Sequence, residues 1–438
     1  MRLNRANYSA TKPPVRMVHL GLGAFFRAHQ AWYTSASDSL GEWGIAAFTG
    51  RSPEAAQVLT EQDGLYTLIV RGPETDSFEV IGSLVAAHAS DDLPALLAYF
   101  ESADLAVVTL TITEAGYSTA PNGAIARLAL ALNHRRSTNG LGLALVPCDN
   151  LPENGSLLRA HLTELFAQFG SDAQQWLTEK VSFVSTSIDR ITPKTTAADT
   201  ATVERECGWE DLSCVVTEPF HDWVLEGEFP LGRPAWELAG AKFVSHLEPF
   251  ENRKLWLLNG SHSILAYLGS LRGHQSVSQA IADPECRLAV TEFWDEAERT
   301  LDNADLDIPA YRAALLERFE NPRIAHQLSQ IAIDGATKLR LRIVPTALAE
   351  LKRGASATGA ANAISAWVAY LLNATTIADS RAAELSAILA DTKLDDSQRV
   401  ADLVAILSPE LAANPDFLTR VHNNADSLTS QKKEEVNA

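Results

Sequence analysis

Residues 15–27 read V-R-M-V-H-L-G-L-G-A-F-F-R, and this stretch decides the prediction of the fold. Val15–Leu20 is a short apolar run of the kind that forms a buried strand, and Gly21 and Gly23 follow it directly. Two glycines after a first strand allow the backbone to turn sharply and to approach a pyrophosphate, whose oxygens then face the amides of the next helix. Phe26 occupies the third glycine position of the usual G-x-G-x-x-G pattern, so an ordinary strand-to-helix turn is the alternative.

Further strand-like runs alternate with helix-like stretches through the first half of the chain. The runs are Gly44–Phe48, Leu65–Val70, Leu105–Ile112, Leu143–Val146, Val181–Ser185 and Cys214–Thr217, and the helix-like stretches include Leu93–Phe100 and Ser156–Phe169. Short apolar strands separated by amphipathic helices predict a mostly parallel sheet covered on both faces, which is an α/β fold. This setting favours dinucleotide binding, and the residues that would bind the cofactor are Gly21, Gly23, Ala24, Phe25 and Arg27.

The second half has a different character, because from about Glu251 onward Ala, Leu, Glu and Arg dominate and strand-like runs nearly vanish. The segments with helical character are Leu255–Leu268, Cys286–Leu301, Ala310–Phe319, Ile324–Ile333, Ala360–Leu372 and Ala382–Ala390. We interpret Lys242–Ser245 as a last strand, and we place the first domain at residues 1–245 and a mainly helical domain at 246–438. Residues 426–438, which include Gln-Lys-Lys-Glu-Glu, are expected to form a frayed or flexible tail.

The charge balance limits the classes of partner. The 438 residues include 36 Lys and Arg against 55 Asp and Glu, which gives a formal net charge of −19. This balance argues against binding to nucleic acid, whose phosphates need Lys and Arg for neutralisation, and against docking on an anionic membrane surface. A small anionic substrate is still compatible with it, since one local lysine or helix N-terminus outweighs a distant negative surface.

Cysteine usage and the N-terminus bear on the compartment. The cysteines are Cys148, Cys207, Cys214 and Cys286, which form no C-x-x-C pair and are too sparse for a disulfide framework. We therefore expect a cytoplasmic protein. Residues 1–14 lack the apolar core of a secretory signal, and no window of about 20 apolar residues predicts a transmembrane helix.

The choice between NAD and NADP depends on the segment after the second predicted strand, which reads T-G-R-S-P-E at residues 49–54. In dinucleotide-binding domains, an acidic residue about 20 positions after the glycine turn hydrogen-bonds the ribose hydroxyls of NAD. Glu54 is the candidate for that role, whereas Arg51 and Ser52 could instead hold the 2′-phosphate of NADP. Surface charge is the alternative for these residues, and we prefer NAD while leaving NADP open.

Residues 254–262 (KLWLLNGSH) place three polar side chains on an otherwise apolar helix. On an α-helix, at about 100° per residue, His262 lies about 80° and Asn259 about 140° from Lys254, so all three fit within one arc. A lysine, an amide and an imidazole on one side of a buried helix must face a polar cavity or one another. This set suits alcohol oxidation, in which a lysine with a pKa lowered by partial burial takes the hydroxyl proton and amide donors stabilise the alkoxide. The alternative is a solvent-exposed lysine, an asparagine bonded to the backbone and a histidine satisfied in the core.

These features make the chain resemble the polyol-specific long-chain dehydrogenases/reductases, the family of mannitol 2-dehydrogenase and the hexuronate reductases. The resemblance runs from about Val15 to Pro345. The blocks that carry it are residues 21–30 (GLGAFFRAHQ), 62–68 (QDGLYTL), 109–117 (TLTITEAGY), 148–151 (CDNL), 154–155 (NG), 189–193 (DRITP), 218–220 (EPF), 254–262 and 334–338 (DGATK). It implies a Rossmann-like doubly wound N-terminal domain, a mainly α-helical C-terminal domain and an active site between them.

The resemblance also implies roles for individual residues. Lys254 is similar to the family's general acid/base, and Asn150 and Asn259 are similar to the two amides that hold the alkoxide oxygen. His262 corresponds to the residue that orients the substrate hydroxyl, and Asp189 to the carboxylate that tunes proton exchange of the lysine. Family members use a nicotinamide cofactor and no catalytic zinc, and the histidines and cysteines of this sequence form no evident ligand cluster.

Each matched residue also has an ordinary structural explanation. Asp149 and Asn150 follow a predicted strand, so they could be turn or cap residues. Asp189 could form a structural ion pair with the adjacent Arg190. Lys338, which the resemblance makes a substrate contact, could be an exposed turn lysine.

One position departs from the mannitol-oxidising members. They carry an arginine eight residues before the lysine that corresponds to Lys338, and this chain has Gln330 there. The departure weakens an assignment to mannitol itself and removes a cation that could hold a carboxylate. Arg190, Arg340 and Arg342 are possible substitutes.

The predicted function is therefore the NAD(P)-dependent, zinc-independent interconversion of a sugar alcohol and its ketose, with mannitol and fructose as the first pair to test. The alternative enzyme is a hexuronate reductase that converts fructuronate or tagaturonate to the aldonate. A protein of a different class, a sensor that binds a dinucleotide without turnover, is the third possibility.

Overall fold

The computed structural model describes residues 1–50, 52–324 and 326–437, which form two compact units. Unit 1 ends at Leu247 and unit 2 begins at Glu248. The α/β class predicted for the first half and the mainly helical character predicted for the second half are both confirmed. None of the helices in the described ranges combines the length and the apolar character that crossing a membrane requires.

The strands of unit 1 form one large and two small sheets. They are β1 (Val15–Leu20), β2 (Gly44–Phe48), β3 (Tyr66–Arg71), β4 (Asp76–Ile81), β5 (Leu84–His88), β6 (Val107–Leu110), β7 (Leu143–Pro147), β8 (Val181–Phe183), β9 (Ser185–Asp189), β10 (Val215–Thr217), β11 (Asp222–Glu226) and β12 (Lys242–Phe243). The large sheet has six parallel strands in the order β5-β2-β1-β6-β7-β8. In this doubly wound order the strand sequence reverses between β1 and β6, and ligands bind beyond the carboxyl ends of the strands at such a point.

The large sheet is buried on both faces because its strands are apolar at successive positions. Met17 and Val107 belong to one apolar cluster, whereas Val18 and Val108 belong to another. Neighbouring residues of a strand point to opposite faces, so the two clusters are the two covered faces of the sheet. The prediction of a parallel sheet covered on both sides is confirmed.

The small sheets contain two strands that the sequence analysis does not predict, β4 and β11, and the large sheet contains a third, β5. The orders of the small sheets are β10-β3-β4 and β12-β11-β9, each with one parallel and one antiparallel pair. β4 alternates between more and less exposed residues, so it lacks the unbroken apolar run of a central strand. The single strand predicted over Val181–Ser185 is divided, because β8 and β9 belong to different sheets. The strand predicted over Lys242–Ser245 is limited to the two residues of β12.

Helices connect the strands of unit 1. They are Ala24–Ala28, Gln30–Ser37, Glu54–Glu61, Leu93–Glu101, Ala124–Thr138, Asn154–Phe166, Ser171–Lys180 and Ala197–Cys207, with 3₁₀ turns at Glu114–Gly116, Ala167–Phe169 and Trp236–Ala239. The helix predicted over Ser156–Phe169 thus begins at Asn154 and finishes in a 3₁₀ turn.

Unit 2 is helical throughout its regular structure in the described ranges. Its α-helices are Glu248–Arg253, Ser261–Ile264, Val277–Ala282, Pro284–Glu298, Ile308–Glu320, Leu328–Ile331, Gly335–Arg342, Val344–Lys352, Thr358–Leu372, Ala382–Ala390, Asp396–Leu407, Pro409–Ala412 and Pro415–Asn437, with a 3₁₀ turn at Ala304–Leu306. Two further segments, Lys254–Gly260 and Leu265–Gly269, are π-helical. Of the α-helix predicted over Leu255–Leu268, only Ser261–Ile264 is α-helical.

Two other predictions in unit 2 differ from the structure. The helix predicted over Ile324–Ile333 is reduced to Leu328–Ile331, because Gln327 pairs with Ser276 in an isolated antiparallel bridge. The tail predicted at residues 426–438 is instead helical as far as Asn437, and Ala438 lies outside the described residues. Buried Val421 and Ala425 anchor this helix, and the Gln, Lys and Glu residues that follow have high helix propensity.

Arg135 offers a test of how the large sheet is supported. Its buried guanidinium donates hydrogen bonds to the carbonyl oxygens of Phe100, Ser102, Leu105, Leu141 and Gly142. Arg135→Met leaves these buried acceptors unpaired, so the free energy of unfolding should fall by about 3 kcal/mol in urea titrations. Arg136→Met, in the same helix but partly exposed, should cost less than about 1 kcal/mol, and equal losses in the two variants would contradict this interpretation.

Candidate active site

The packing of unit 1 forces the glycine turn after β1. Gly21 has a φ of +111°, and a Cβ at this residue would lie 2.0 Å from the carbonyl oxygen of Thr111. Its amide donates to the carbonyl oxygen of Phe48 at 2.9 Å. Gly23 is different, because its Cβ would approach only the carbonyl oxygen of Gly21, at 3.6 Å. Gly21 is therefore required by the protein itself, whereas the space beside Gly23 is open to a ligand.

Phe26 explains the departure from the third glycine of the pattern. Its ring is buried and stacks on the ring of His19, with 3.6 Å between the centroids. His19 in turn is hydrogen-bonded to the hydroxyls of Thr109, at 2.8 Å, and Thr111, at 3.0 Å. The space that a third glycine leaves for close helix packing is thus filled here by an aromatic pair.

Two cavities adjoin the glycine turn at the carboxyl ends of the parallel strands. The Thr49 cavity, of about 530 Å³, is lined by residues that include Thr49, Gly50, Ser90 and Arg127. The Asn150 cavity, of about 490 Å³, is lined by residues that include Ala24, Phe25, Cys148 and Asn150. Both linings include Gly21, Gly23, Thr111 and Thr113. The turn therefore separates two spaces at the point where the strand order reverses.

The side chain of Arg27 is hydrogen-bonded to the backbone at and near this turn. Its Nε donates to the carbonyl oxygen of Gly23 at 3.2 Å, and its guanidinium also donates to the carbonyl oxygen of Ser213. Burial lowers the pKa of Arg27, and its guanidinium lies 5.6 Å from the centre of the Tyr66 ring. Arg27 is not among the residues that line these two cavities, and its hydrogen bonds give it a supporting position at the turn, so its contact with a cofactor stays a prediction.

Two of the residues proposed to choose between NAD and NADP, Ser52 and Glu54, are not among those that line the two cavities. Glu54 is exposed in the first turn of the helix Glu54–Glu61, and Ser52 is exposed as well. Arg51 lies outside the described residues. Among the described residues that line the Thr49 cavity, the single charged side chain is that of Arg127. The position of Glu54 therefore gives no support to a contact with the ribose.

Asn150 and Asp189 both lie at strand ends of unit 1. Asn150 follows β7, is exposed and lines the Asn150 cavity. Asp189 ends β9, where it pairs across the sheet with Asp222 of β11. Arg190 is buried and donates to the carbonyl oxygens of Ala28, at 2.6 Å, and Glu218, at 3.2 Å. Arg190 therefore supports the backbone, and these contacts argue against its use for a substrate carboxylate.

The segment with Lys254 and Asn259 has a different helix type from the one predicted. Lys254–Gly260 is π-helical, and the hydrogen bonds of a π-helix join residues five apart. Asn259 therefore lies little more than one turn after Lys254, and the α-helical angle of about 140° between them is too large. Arg342 donates to the carbonyl oxygen of Asn259 and to the hydroxyl of Ser263, both at 3.2 Å. This arginine thus supports the π-helical turn from a neighbouring helix.

His262 is a buried imidazole with one unsatisfied nitrogen. Its ring lies 4.7 Å from that of His326 and 5.2 Å from that of Phe319, measured between centroids. Within the described residues, Nε2 of His262 has no hydrogen-bond partner. Burial lowers the pKa of His262 well below 6.5, and the basic groups His326, Arg318, Arg342 and Lys338 lower it further. The imidazole is therefore neutral at neutral pH and can exchange a hydrogen bond with a ligand.

Lys338 is part of a helix rather than an exposed turn. It belongs to Gly335–Arg342, is half-buried, and its Nζ donates to the carbonyl oxygen of Ile331 at 2.9 Å. Burial and the nearby Arg342 lower its pKa, against the opposing effect of Asp334 and Asp379. Gln330, which stands in place of the family arginine, is exposed.

The structure assigns definite contacts to two residues whose roles the sequence left open. Asp149, which the sequence leaves open as a turn residue, is buried next to Asn150 and accepts three hydrogen bonds from residues 112–117. Its position directly after an apolar strand is the signal that could have revealed it. Arg342, one of three candidates for holding an anion, is the one that lies beside Asn259 and His262, whereas exposed Arg340 donates to Ile406.

One group of potential metal ligands is visible only in the structure. His274, Asp283 and Cys286 place their ligand atoms within 4.8 Å of one another. The Asp283 carboxylate, however, already accepts from Arg272 at 2.6 Å and from His274 at 2.9 Å, and it caps the helix Pro284–Glu298. Although burial raises the pKa of Asp283, these hydrogen bonds lower it overall. We interpret the group as an ion-paired helix cap.

A doubly wound parallel sheet with cavities on both sides of its glycine turn defines unit 1 as a Rossmann domain of the dinucleotide-binding class. Residues 15–238 match the mannitol dehydrogenase Rossmann domain and residues 246–429 the mannitol dehydrogenase C-terminal domain. The chain therefore belongs to the mannitol dehydrogenase family, as the resemblance predicts.

Two relatives and one solved structure illustrate the similarity. The chain is 33% identical to D-mannonate oxidoreductase of Escherichia coli, over 95% of this chain and 94% of the relative. It is 34% identical to mannitol 2-dehydrogenase of Aspergillus fumigatus, over 75% of this chain and 73% of the relative. The ternary complex of Pseudomonas fluorescens mannitol 2-dehydrogenase with NAD and D-mannitol matches with a TM-score of 0.78 and 31% identity, over 100% of both chains.

Substitution by alanine should affect stability differently at the two glycines of the turn. Gly21→Ala introduces a clash with the Thr111 carbonyl at a positive φ, so it should cost more than about 2 kcal/mol and lower the melting temperature by about 5 °C. Gly23→Ala has room within the protein and should change the melting temperature by less than about 1 °C. Circular dichroism melts of the two variants measure this difference, and an unchanged melting temperature for Gly21→Ala would contradict the forced turn.

Proposed function

We propose that this protein is an NAD-dependent oxidoreductase that interconverts a sugar alcohol and its ketose, with mannitol and fructose as the first pair to test. The observation that carries the proposal is the π-helical alignment of Lys254 and Asn259 next to the buried, unsatisfied imidazole of His262. Membership of the mannitol dehydrogenase family and the match to a complex that contains NAD and D-mannitol support it. A cytoplasmic location, which the sparse cysteines favour, is part of the proposal.

The cofactor site that we propose is the glycine turn with the cavities on either side of it. Gly21, Gly23, Ala24 and Phe25 line the Asn150 cavity, and the open space beside Gly23 fits a pyrophosphate. When bound, the nicotinamide ring supplies the hydride acceptor. We keep NAD as the preferred cofactor because the solved Pseudomonas fluorescens complex contains it, and NADP stays open.

The chain's own residues would move the proton and hold the oxygen. Lys254 accepts the hydroxyl proton during oxidation and returns it during reduction. Asn150 and Asn259 donate amide hydrogens to the substrate oxygen as its negative charge develops. His262, as a neutral imidazole, exchanges a hydrogen bond with a substrate hydroxyl through Nε2, and Asp189 tunes the proton exchange of the lysine. No metal ion takes part in the proposed reaction.

A sugar acid is the second candidate substrate, and one observation favours it. The surroundings of His262 are basic, because four basic residues act on it electrostatically. They are His326, Arg318, Arg342 and Lys338. Burial lowers the pKa of Arg342 to about 10, which leaves the guanidinium charged at neutral pH. A substrate carboxylate would be attracted to the arginines and the lysine of this group, and one relative is a D-mannonate oxidoreductase. A hexuronate–aldonate pair is therefore the alternative to mannitol and fructose.

Removal of the proposed base tests the mechanism. Lys254→Ala should lower turnover by about 10³-fold, whereas the Kd for NADH should change by less than about threefold. Nicotinamide absorbance should be followed with NAD and NADP across mannitol, arabinitol, sorbitol, mannonate and altronate. Lys242→Ala, at an exposed position in β12, is the matched control and should retain full turnover.

The outcomes separate the three classes of function. Near-wild-type turnover in Lys254→Ala would remove the lysine mechanism. A wild-type protein that binds the dinucleotide but turns over none of these substrates would instead be a sensor.

The basic surroundings of His262 give a test of substrate charge. If the substrate is a sugar acid, Lys338→Gln should raise KM for mannonate about tenfold and leave KM for mannitol nearly unchanged, because only the acid uses the lost charge. Arg340→Gln, an exposed position in the same helix, should change neither KM. Equal changes for the acid and the polyol in Lys338→Gln would show that the charge is not used for recognition.

A further inference from the structure

The carboxylate of Asp149 is fully engaged inside unit 1. Its Oδ1 accepts from the amide of Thr113 at 2.7 Å, and its Oδ2 accepts from the amide of Ile112 at 3.2 Å and from the hydroxyl of Tyr117 at 2.9 Å. The carboxyl is buried, and burial raises its pKa while the three donors oppose the rise. All three donors belong to one loop, so the carboxyl group of Asp149 fastens that loop to the end of β7.

The loop that Asp149 fastens, residues 111–117, forms part of both cavities. Thr111 and Thr113 line the Thr49 cavity and the Asn150 cavity alike. Thr113 has a φ of +64°, a conformation that a β-branched residue adopts only at a cost in free energy. Contacts from outside the loop are needed to maintain such a conformation, and the bond from the Thr113 amide to Asp149 is one of them.

The main chain of Asp149 is held by a second set of hydrogen bonds, which does not involve the 111–117 loop. Its carbonyl oxygen accepts from Asn154 Nδ2 at 3.1 Å and from the amide of Leu151 at 2.8 Å. Asn154 is buried, and its Nδ2 also donates to the carbonyl oxygen of Thr186 at 2.8 Å. Asn150 directly follows Asp149 in the chain and lines the Asn150 cavity. Asp149 thus fixes the 111–117 loop through its side chain. Through its main chain it also fixes the backbone that leads into Asn150.

We propose that Asp149 is a positioning residue that couples the shape of the 111–117 loop, and with it the affinity for the dinucleotide, to the placement of the Asn150 amide. This proposal rests on the proposed function, because it assumes a dinucleotide beside the loop and a substrate oxygen at Asn150. Asp149 borders the Asn150 cavity, but both of its carboxylate oxygens are bonded to the loop, so it acts through its neighbours. A residue that only stabilised the fold would change the melting temperature and leave the affinity and turnover of the folded protein intact.

Asp149→Asn is the informative substitution. The asparagine retains one oxygen acceptor, and its NH₂ group must face a donor, so at least one of the Ile112 and Thr113 amides loses its partner. Tyr117→Phe removes one hydrogen bond and leaves both amide bonds in place. Asp104→Asn makes the same chemical change at an exposed position of unit 1 and serves as the control.

The experiment measures NADH binding by fluorescence, steady-state kinetics with the best substrate of the panel, and thermal melting, with all assays well below the melting temperature of each variant. Asp149→Asn should raise the Kd for NADH about tenfold and also lower kcat at saturating NADH, because Asn150 is displaced as well. Tyr117→Phe should raise the Kd about threefold, and Asp104→Asn should change neither quantity.

Each outcome supports or overturns the coupling. Wild-type affinity and kcat in folded Asp149→Asn would overturn it and leave the proposed function intact. A loss of affinity with unchanged kcat would overturn the link to Asn150. If Asp149→Asn does not fold, an unchanged Kd in Tyr117→Phe overturns the proposal. A wild-type protein that binds no NADH would instead overturn the proposed function, and the role of Asp149 with it.

Discussion

The close approach of Gly21 to the end of β6 is the constraint on which the site of unit 1 depends. The Cα of Gly21 lies so near the Thr111 carbonyl that no side chain fits, and its amide is bonded to Phe48 at the end of β2. One residue therefore brings the ends of three adjacent parallel strands together at the point where the strand order reverses. The cavities on either side of the turn, and the position of Asn150 at the end of the next strand, follow from this approach.

In unit 2 the π-helical segment Lys254–Gly260 is the constraint that corresponds to Gly21 in unit 1. A π-helix is uncommon because its hydrogen bonds are less favourable than those of an α-helix, so neighbouring groups must support it. Trp294 donates to the carbonyl oxygen of Leu257 at 2.9 Å, and Arg342 donates to that of Asn259 at 3.2 Å. The alignment of Lys254 with Asn259 is thus maintained by side chains from other helices of the unit.

Burial determines how much of this could be predicted from the sequence. β1 and β2 begin and end at the predicted residues, since strands buried on both faces are unbroken apolar runs. β4 escapes prediction because its polar residues hide the strand pattern. Gly21 and Gly23 could be found because they follow an apolar strand, whereas the role of Asn150 is implied only by the family resemblance. The π-helix and the contacts of Asp149 could not be found, because they depend on partners distant in the sequence, such as Arg342 for the first and Tyr117 for the second.

Electrostatics explain why a net charge of −19 says little about the substrate. Exposed charges are screened over a Debye length of about 8 Å at physiological ionic strength, so the acidic surface contributes little field at a buried group. The groups that act on His262 are instead four nearby basic residues, among them Arg342 and Lys338. A neutral polyol gains little from the charged arginines and lysine among them, whereas a carboxylate gains a charge-assisted hydrogen bond. The choice between sugar alcohol and sugar acid therefore depends on whether the substrate reaches the basic group around His262, and the overall charge does not decide it.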